Sequence, residues 1–189
     1  MTPRDLEEYR ALRDTIRQRG TTRVWVFLAG LVAWAGLAVA TAALAALPVA
    51  TLLPLLVLAG VFEAIASLHV GVERIGRYIE VFFESDQGDQ TPELVRGWEP
   101  GWEHVTRAYG RAFPRTSPDP LFALVFIGAT VLNFVPVLLA EPVVIEIVVV
   151  GTVHLLFLIR ILVARRAAGR QRAIDLERFL RVKREMQMK

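Results

Sequence analysis

Long apolar stretches alternate along this chain with charged, amphipathic stretches. The first apolar stretch, residues 24–47, holds no charge, and later ones cover residues 52–72, 121–140 and 143–163. A helix rises about 1.5 Å per residue, so about 20 residues cross a hydrocarbon core of about 30 Å. The pattern therefore predicts four membrane-spanning helices, which the short connections pair as two hairpins.

The charged stretches predict helices outside the membrane. Leu6, Tyr9, Leu12 and Ile16 recur at spacings of three and four, which places them on one face of a helix over residues 4–19 that ends near Gly20. The second span is predicted to continue to about Phe83, and a basic helix follows the fourth span. Between spans two and three, the proline and glycine positions favour two short helices, Thr91 to Trp98 and Pro100 to Phe113.

The predicted class is an all-α integral membrane four-helix bundle, made of two transmembrane hairpins with cytosolic helical extensions. Its predicted parts are a cytosolic amphipathic helix (1–23), hairpin 1 (24–72), a cytosolic helical extension and linker (73–120), hairpin 2 (121–163) and a basic cytosolic helix (164–189).

The positions of the basic residues predict the orientation. Every lysine and arginine except Arg160 lies in residues 1–23, 73–120 or 164–189, and the two remaining connections carry none. Cytoplasmic loops are enriched in these residues, so both termini and the middle segment are predicted to be cytosolic. Only two of the 22 basic residues are lysines, Lys183 and Lys189. That bias is typical of GC-rich bacterial genomes, so we expect a bacterial inner membrane.

Composition agrees with a membrane protein and narrows the chemistry. The 189 residues are 54% hydrophobic, and there are no cysteines; the mean hydropathy is +0.43. Disulfides, thiolate metal sites and cysteine nucleophiles are therefore excluded. The sequence has no phosphate-binding loop, G-x-S-x-G or H-E-x-x-H motif. We expect no enzyme activity, no catalytic residue, no cofactor and no metal site.

Polar residues inside the predicted spans are the main functional candidates, because burying them in lipid is costly. Glu63 lies about 13 Å past Pro54 along span two, and Asn133 and His154 lie in spans three and four. If these spans adjoin, the three residues meet near mid-membrane as an ion or proton path. The alternative is an interhelical hydrogen bond that only fixes packing.

Three other residues are secondary candidates. His69 lies near the predicted cytosolic boundary of span two, and Glu146 lies one turn from the external hairpin. Arg160 is placed to extend its charge toward the cytosolic headgroups.

The last segment is strongly basic. Residues 164–189 hold nine basic and three acidic residues, whereas residues 73–120 hold six basic and nine acidic ones. Arg165, Arg166, Arg170 and Arg172 are therefore predicted to bind anionic lipid headgroups or an acidic partner segment. No motif indicates binding to nucleic acid.

Two functional hypotheses follow from these features. Slightly favoured is an oligomeric small channel or ion/proton transporter, with Glu63 as the charge-selective group and His154 as a titratable gate. The alternative is a membrane scaffold that recruits a cytosolic protein through its helical extensions. Small residues Ala29, Ala33, Gly36, Ala40 and Ala43 form a stripe on span one, which favours close helix packing and a homo-oligomer.

Overall fold

The computed structural model describes residues 2–43, 47–84, 102–112, 119 and 121–188 of the chain. Five α-helices account for most of them: α1 (Pro3–Ala43), α2 (Leu52–Ile79), α3 (Trp102–Ala112), α4 (Ala123–Leu139) and α5 (Val144–Gln187). A 3-10 turn (Pro48–Thr51) precedes α2, and a π-helical turn (Glu80–Glu84) extends it. The described residues contain no strand, so the all-α prediction is confirmed. The helix expected from Thr91 to Trp98 lies outside the described residues.

Three of the described helices are long and apolar enough to cross a membrane: α1, α2 with its flanking turns, and α5. Helix α4 is apolar as well but has 17 residues. The bounds of α2, α3 and α4 agree with the predicted ones to within a few residues. The expected helix end at Gly20 is wrong, because α1 continues through it to Ala43. Glycine inside a helix costs only about 1 kcal/mol relative to alanine, which does not end a helix that continues on both sides.

The chain divides into two compact units. We call one the apolar unit (Thr21–His69 and Asp119–Ala167) and the other the charged unit (Met1–Gly20, Val70–Pro118 and Ala168–Lys189). Each therefore draws its helical segments from distant parts of the sequence.

Large apolar side chains fill the interior of the apolar unit. Phe62 from α2 makes edge-to-face contacts with Phe126 from α4 and Phe157 from α5, with ring centroids 5.3 and 5.9 Å apart. Such pairs stabilise by about 0.5–1.5 kcal/mol beyond the area that they bury. Gly30 is buried on α1, where an added Cβ would overlap the Val61 side chain of α2. The predicted small-residue stripe of α1, from Ala29 to Ala43, is instead exposed.

Aromatic side chains also pack in the charged unit. Tyr78 and Phe82 from the end of α2 and its π-helical turn both contact Phe179 of α5. Tyr9 of α1 contacts Phe83 with ring centroids 5.7 Å apart. The amphipathic face predicted for the start of α1 is thus placed against the extended end of α2.

Helix starts have local causes in the sequence. Thr2 and Asp5 exchange hydrogen bonds, Thr2 N to Asp5 Oδ2 and Asp5 N to Thr2 Oγ1, which caps the first turn of α1. Asp119 accepts hydrogen bonds from the backbone nitrogens of Leu121 and Ala123 at the start of α4. These bonds satisfy backbone donors that a helix start otherwise leaves without partners.

Candidate functional site

A buried hydrogen-bond chain links α4, α5 and the 3-10 turn inside the apolar unit. Asn133 Nδ2 donates to the Thr51 carbonyl oxygen at 2.8 Å and lies 3.0 Å from His154 Nε2. His154 Nδ1 lies 2.8 Å from the carbonyl oxygen of Val150, one turn earlier in α5. Two of the three residues expected to meet, Asn133 and His154, are therefore in direct contact.

The hydrogen-bond partners of His154 determine which of its ring nitrogens carries the hydrogen. The Val150 carbonyl can only accept, so Nδ1 carries the ring hydrogen, and Nε2 of the neutral imidazole accepts from the Asn133 amide. Both nitrogens of His154 are thus bonded within the protein. The arrangement can hold α4, α5 and the turn in register, whereas moving a proton along it requires breaking one of these bonds.

Glu63 does not join this hydrogen-bond chain. Its Oε2 accepts a hydrogen bond from Arg160 Nη2 of α5 at 2.7 Å, and about half of each side chain is exposed (50% for Glu63, 45% for Arg160). The neighbouring Phe62 is fully buried. Arg160 lies over the Phe62 ring at 6.0 Å from its centroid. The expected approach of Glu63 to His154 is therefore replaced by an ion pair on the surface of the apolar unit.

The other two secondary candidates have structural partners. His69 is buried, and its Nδ1 lies 3.4 Å from Arg23 Nη1. Glu146 Oε2 accepts a hydrogen bond from the backbone nitrogen of Val143 at 3.2 Å. Glu146 therefore caps the start of α5 through its side chain.

Charged side chains form a cluster inside the charged unit that the sequence analysis did not identify. Arg77 pairs with Glu80 at 2.6 Å and with Glu103 at 3.2 Å, and only 5% of its side chain is exposed. Arg13 of α1 pairs with Glu103 at 2.7 Å and with Glu84 at 3.1 Å. Glu103, on α3, thus bridges one arginine of α1 and one of α2.

This charged cluster holds the first turn of α3 through Glu103. Glu84 accepts a further hydrogen bond from the backbone nitrogen of Glu103, the second residue of α3. Gly76 permits the approach, since a Cβ there would lie 3.0 Å from Glu103 Oε2. Large apolar side chains of α3 face outward: Trp102 is 68% exposed, and Val105 and Tyr109 are exposed too. Helix α3 therefore buries the charged Glu103 and exposes aromatic side chains.

Among the four candidate arginines in the basic segment of α5, Arg172 forms an ion pair. Arg172 donates to both carboxylate oxygens of Glu73, at 2.6 and 2.7 Å. These hydrogen bonds to Glu73 raise the pKa of Arg172, against the opposing effect of its burial. Arg165, Arg166 and Arg170 are exposed. Among the residues that the structure describes, no group of three acidic or histidine side chains is placed to hold a metal ion.

Apolar cavities open on the described part of the apolar unit. One, of about 520 Å³, lies between α1 and α4 and is lined by apolar residues that include Leu31, Trp34 and Leu132. The other, of about 180 Å³, lies between α4 and α5, with Phe134 and His154 in its wall. Their polar lining is small, so neither resembles a site for a charged ligand.

Comparison with known proteins gives no relative: no protein-family model, curated protein sequence or solved structure matches this chain. A functional assignment therefore rests on the arrangement of its own residues.

Proposed function

We propose that this protein is a four-span inner-membrane adaptor that recruits a cytosolic protein through α3. The observation that carries this proposal is that α3 is held by the buried Glu103 and presents Trp102 and Val105 outward. Partly exposed aromatic side chains on a fixed helix are typical anchors of protein interfaces.

The proposed placement in the membrane uses α1, α2, α4 and α5 as the four spans. Helix α4, with 17 residues, is about 26 Å long, close to the hydrocarbon thickness of about 30 Å. The connections at Pro48 and at Glu141-Pro142 carry no basic residue, which favours the external side. Both termini and α3 are then cytosolic.

Single cysteines test this placement cleanly, because the chain has none of its own. In intact spheroplasts, a membrane-impermeant maleimide is expected to label Val49→Cys in the first connection and to leave Met186→Cys unlabelled until the membrane is permeabilised. Both residues are exposed, so access depends on the side of the membrane. Labelling of position 186 in intact spheroplasts contradicts a cytosolic C terminus.

A photocrosslinking amino acid at position 102 of the full-length chain tests recruitment. We expect it to capture one cytosolic protein, which is then purified and titrated against the chain in nanodiscs. Trp102→Ala removes an anchor contributing about 2 kcal/mol and should weaken that affinity about 30-fold. Arg178→Ala, at another exposed position of the charged unit, is the matched control and should change it little. Crosslinks to lipid alone contradict the adaptor proposal.

A channel or transporter is the second candidate, favoured by the half-exposed Glu63–Arg160 pair within the spans. Charged groups inside a membrane commonly border a water-filled path. On this hypothesis, Glu63→Gln abolishes or alters ion flux into liposomes while assembly is unchanged. Flux that is unchanged and insensitive to pH in that variant removes Glu63 from the conduction path. The closed bonding of His154 makes us rank this candidate second.

Anionic lipid headgroups are proposed partners of Arg165, Arg166 and Arg170. They are exposed and lie at the end of the apolar part of α5. Each basic residue near an anionic surface contributes about 1 kcal/mol. Replacing all three by glutamine should reduce the anionic lipid that co-purifies with the chain, whereas Arg181→Gln, farther along α5, should not.

A further inference from the structure

We propose that the face of the apolar unit carrying the Glu63–Arg160 pair binds a second copy of this chain. This pair face consists of Leu56, Gly60, Glu63 and Ser67 on α2, with Leu156 and Arg160 on α5. Their spacings of three and four place the α2 residues in one exposed row, and Leu156 lies one turn before Arg160. The proposal is independent of recruitment through α3.

Position along the helices places the pair deep in the spans. Glu63 lies 11 residues, about 16 Å, after the start of α2 at Leu52. It lies ten residues, about 15 Å, before Glu73, the next charged residue of the helix. Glu63 is therefore close to the middle of a hydrocarbon layer about 30 Å thick. Arg160 is nearer the cytosolic end, and its guanidinium is directed to Glu63 by the hydrogen bond at 2.7 Å.

Lipid chains are a poor covering for this pair. Half of each charged side chain remains exposed after the pair forms, so hydrocarbon would meet groups that it cannot hydrogen-bond. The other members of the pair face are apolar or small, so no further charge from the described residues is placed against the two groups. A protein surface with complementary charges removes this cost.

A second copy supplies such a surface. In a two-fold symmetric contact each chain presents the same face, so a pair that carries one positive and one negative group is complementary to itself. Gly60 lies one turn from Glu63, and a Cβ at that position would meet nothing within 4 Å. This open space lets a partner helix approach closely, which is how helices associate in lipid.

The test uses a steric block that leaves both charges in place. The full-length chain is labelled and reconstituted in liposomes, and its association is measured by energy transfer over a range of protein-to-lipid ratios. Gly60→Leu should weaken association at least about tenfold, since a leucine there fills the space that the partner needs. Gly128→Leu on α4 is the matched control, because its position is also exposed and open, and association should be unchanged.

Cysteine crosslinking checks the same face without blocking it. Leu56→Cys, as the only cysteine of the chain, should form a disulfide between two copies on mild oxidation, whereas Leu124→Cys on the exposed surface of α4 should not.

Two results overturn the proposal. A wild-type chain that is monomeric at every protein-to-lipid ratio leaves no second copy to cover the pair, and labelling of Glu63→Cys by a water-soluble maleimide would then show a water-filled path. A chain that associates equally with and without Gly60→Leu, and does not crosslink at position 56, associates through another face. Neither result bears on the capture of a partner at position 102.

Discussion

The two units bury different kinds of polar groups in their interiors. In the charged unit, the buried Arg77 pairs with the buried Glu80 and Glu103, and Glu103 pairs in turn with Arg13, which also pairs with Glu84. In the part of the apolar unit formed by α4 and α5, the buried bonded side chains are neutral: the amide of Asn133 and the imidazole of His154, which bond to each other and to backbone carbonyls. There, the ion pair between Glu63 and Arg160 lies on the surface.

This difference follows from the free energy needed to bury a charge compared with that needed to bury a neutral polar group. A buried charge is tolerated where several opposite charges and hydrogen-bond donors surround it. A neutral amide or imidazole costs much less free energy to bury than an ion does, so a few hydrogen bonds offset that cost. The charged unit therefore depends on a connected network, and the apolar unit on aromatic packing with one short hydrogen-bond chain.

The largest expected effect comes from removing the cation at the centre of the charged cluster. Arg77→Met leaves Glu80 and Glu103 without the guanidinium that they share, and should lower the free energy of unfolding of the charged unit by about 3–5 kcal/mol. Denaturant unfolding, monitored by the hydrogen exchange of α3 amides, measures this loss. The control is Arg178→Met, whose side chain is 69% exposed in a pair at 3.8 Å, and which should cost less than about 1 kcal/mol. Equal costs would contradict the importance of the cluster.

Breaking the hydrogen-bond chain of the apolar unit should cost less free energy than breaking the charged cluster. Asn133→Leu removes the donor to Thr51 and His154 and should cost about 1–3 kcal/mol, because buried acceptors are left unsatisfied. Combining it with His154→Phe should cost less than the sum of the two single changes, since these residues bond to each other. Unfolding titrations of the four proteins in bicelles give the coupling. Strict additivity would mean that the two side chains act separately.

Close helix contact in the apolar unit provides a smaller test. Gly30→Ala places a Cβ against Val61, and the strain of about 1–3 kcal/mol is partly offset by a better helix propensity of about 1 kcal/mol, so we expect a net loss of up to about 2 kcal/mol. The same change at Gly36, where a Cβ meets nothing within 4 Å, should be neutral or slightly stabilising. Identical thermal unfolding of the two variants in detergent would argue against this contact.

The smallest effect is a pH dependence at the start of α1. Hydrogen bonds from the backbone and hydroxyl of Thr2 lower the pKa of Asp5 below its usual value of 3.8. Because the pKa is lower in the folded protein, the carboxylate contributes stability above the unfolded pKa, and this contribution is lost as the pH falls through the folded one. The protection of first-turn amides, measured as the intrinsic exchange rate divided by the observed rate at each pH, should therefore fall below about pH 4. In Asp5→Asn this extra dependence should vanish.

Much of the fold was predictable because it depends on local sequence. The apolar runs indicated α2, α4 and the start of α5, and the spacing of Leu6, Tyr9, Leu12 and Ile16 indicated the first part of α1. The short helix near Pro100 appears as Trp102–Ala112. Gly20 was misread as an end, because a single glycine has little weight against helix-forming residues on both sides.

The site was harder to predict because depth in a helix does not determine direction. The helical rise placed Glu63, Asn133 and His154 at comparable depths, but one residue turns a helix by about 100°. Phe62 therefore enters the core, while Glu63 faces outward to Arg160. The charged cluster was missed for a different reason, since Arg13 and Glu103 are separated by 90 residues with no local pattern to relate them.

The π-helical turn at Glu80–Glu84 sets the register of two contacts in the charged unit. A π turn holds one more residue than an α turn over the same stretch of axis. If the same residues followed α geometry with none deleted, the end of the turn would be rotated by about 100°. Phe83 would then leave Tyr9, and Glu84 would leave Arg13. A substitution that favours regular α geometry within the turn should therefore weaken both contacts together.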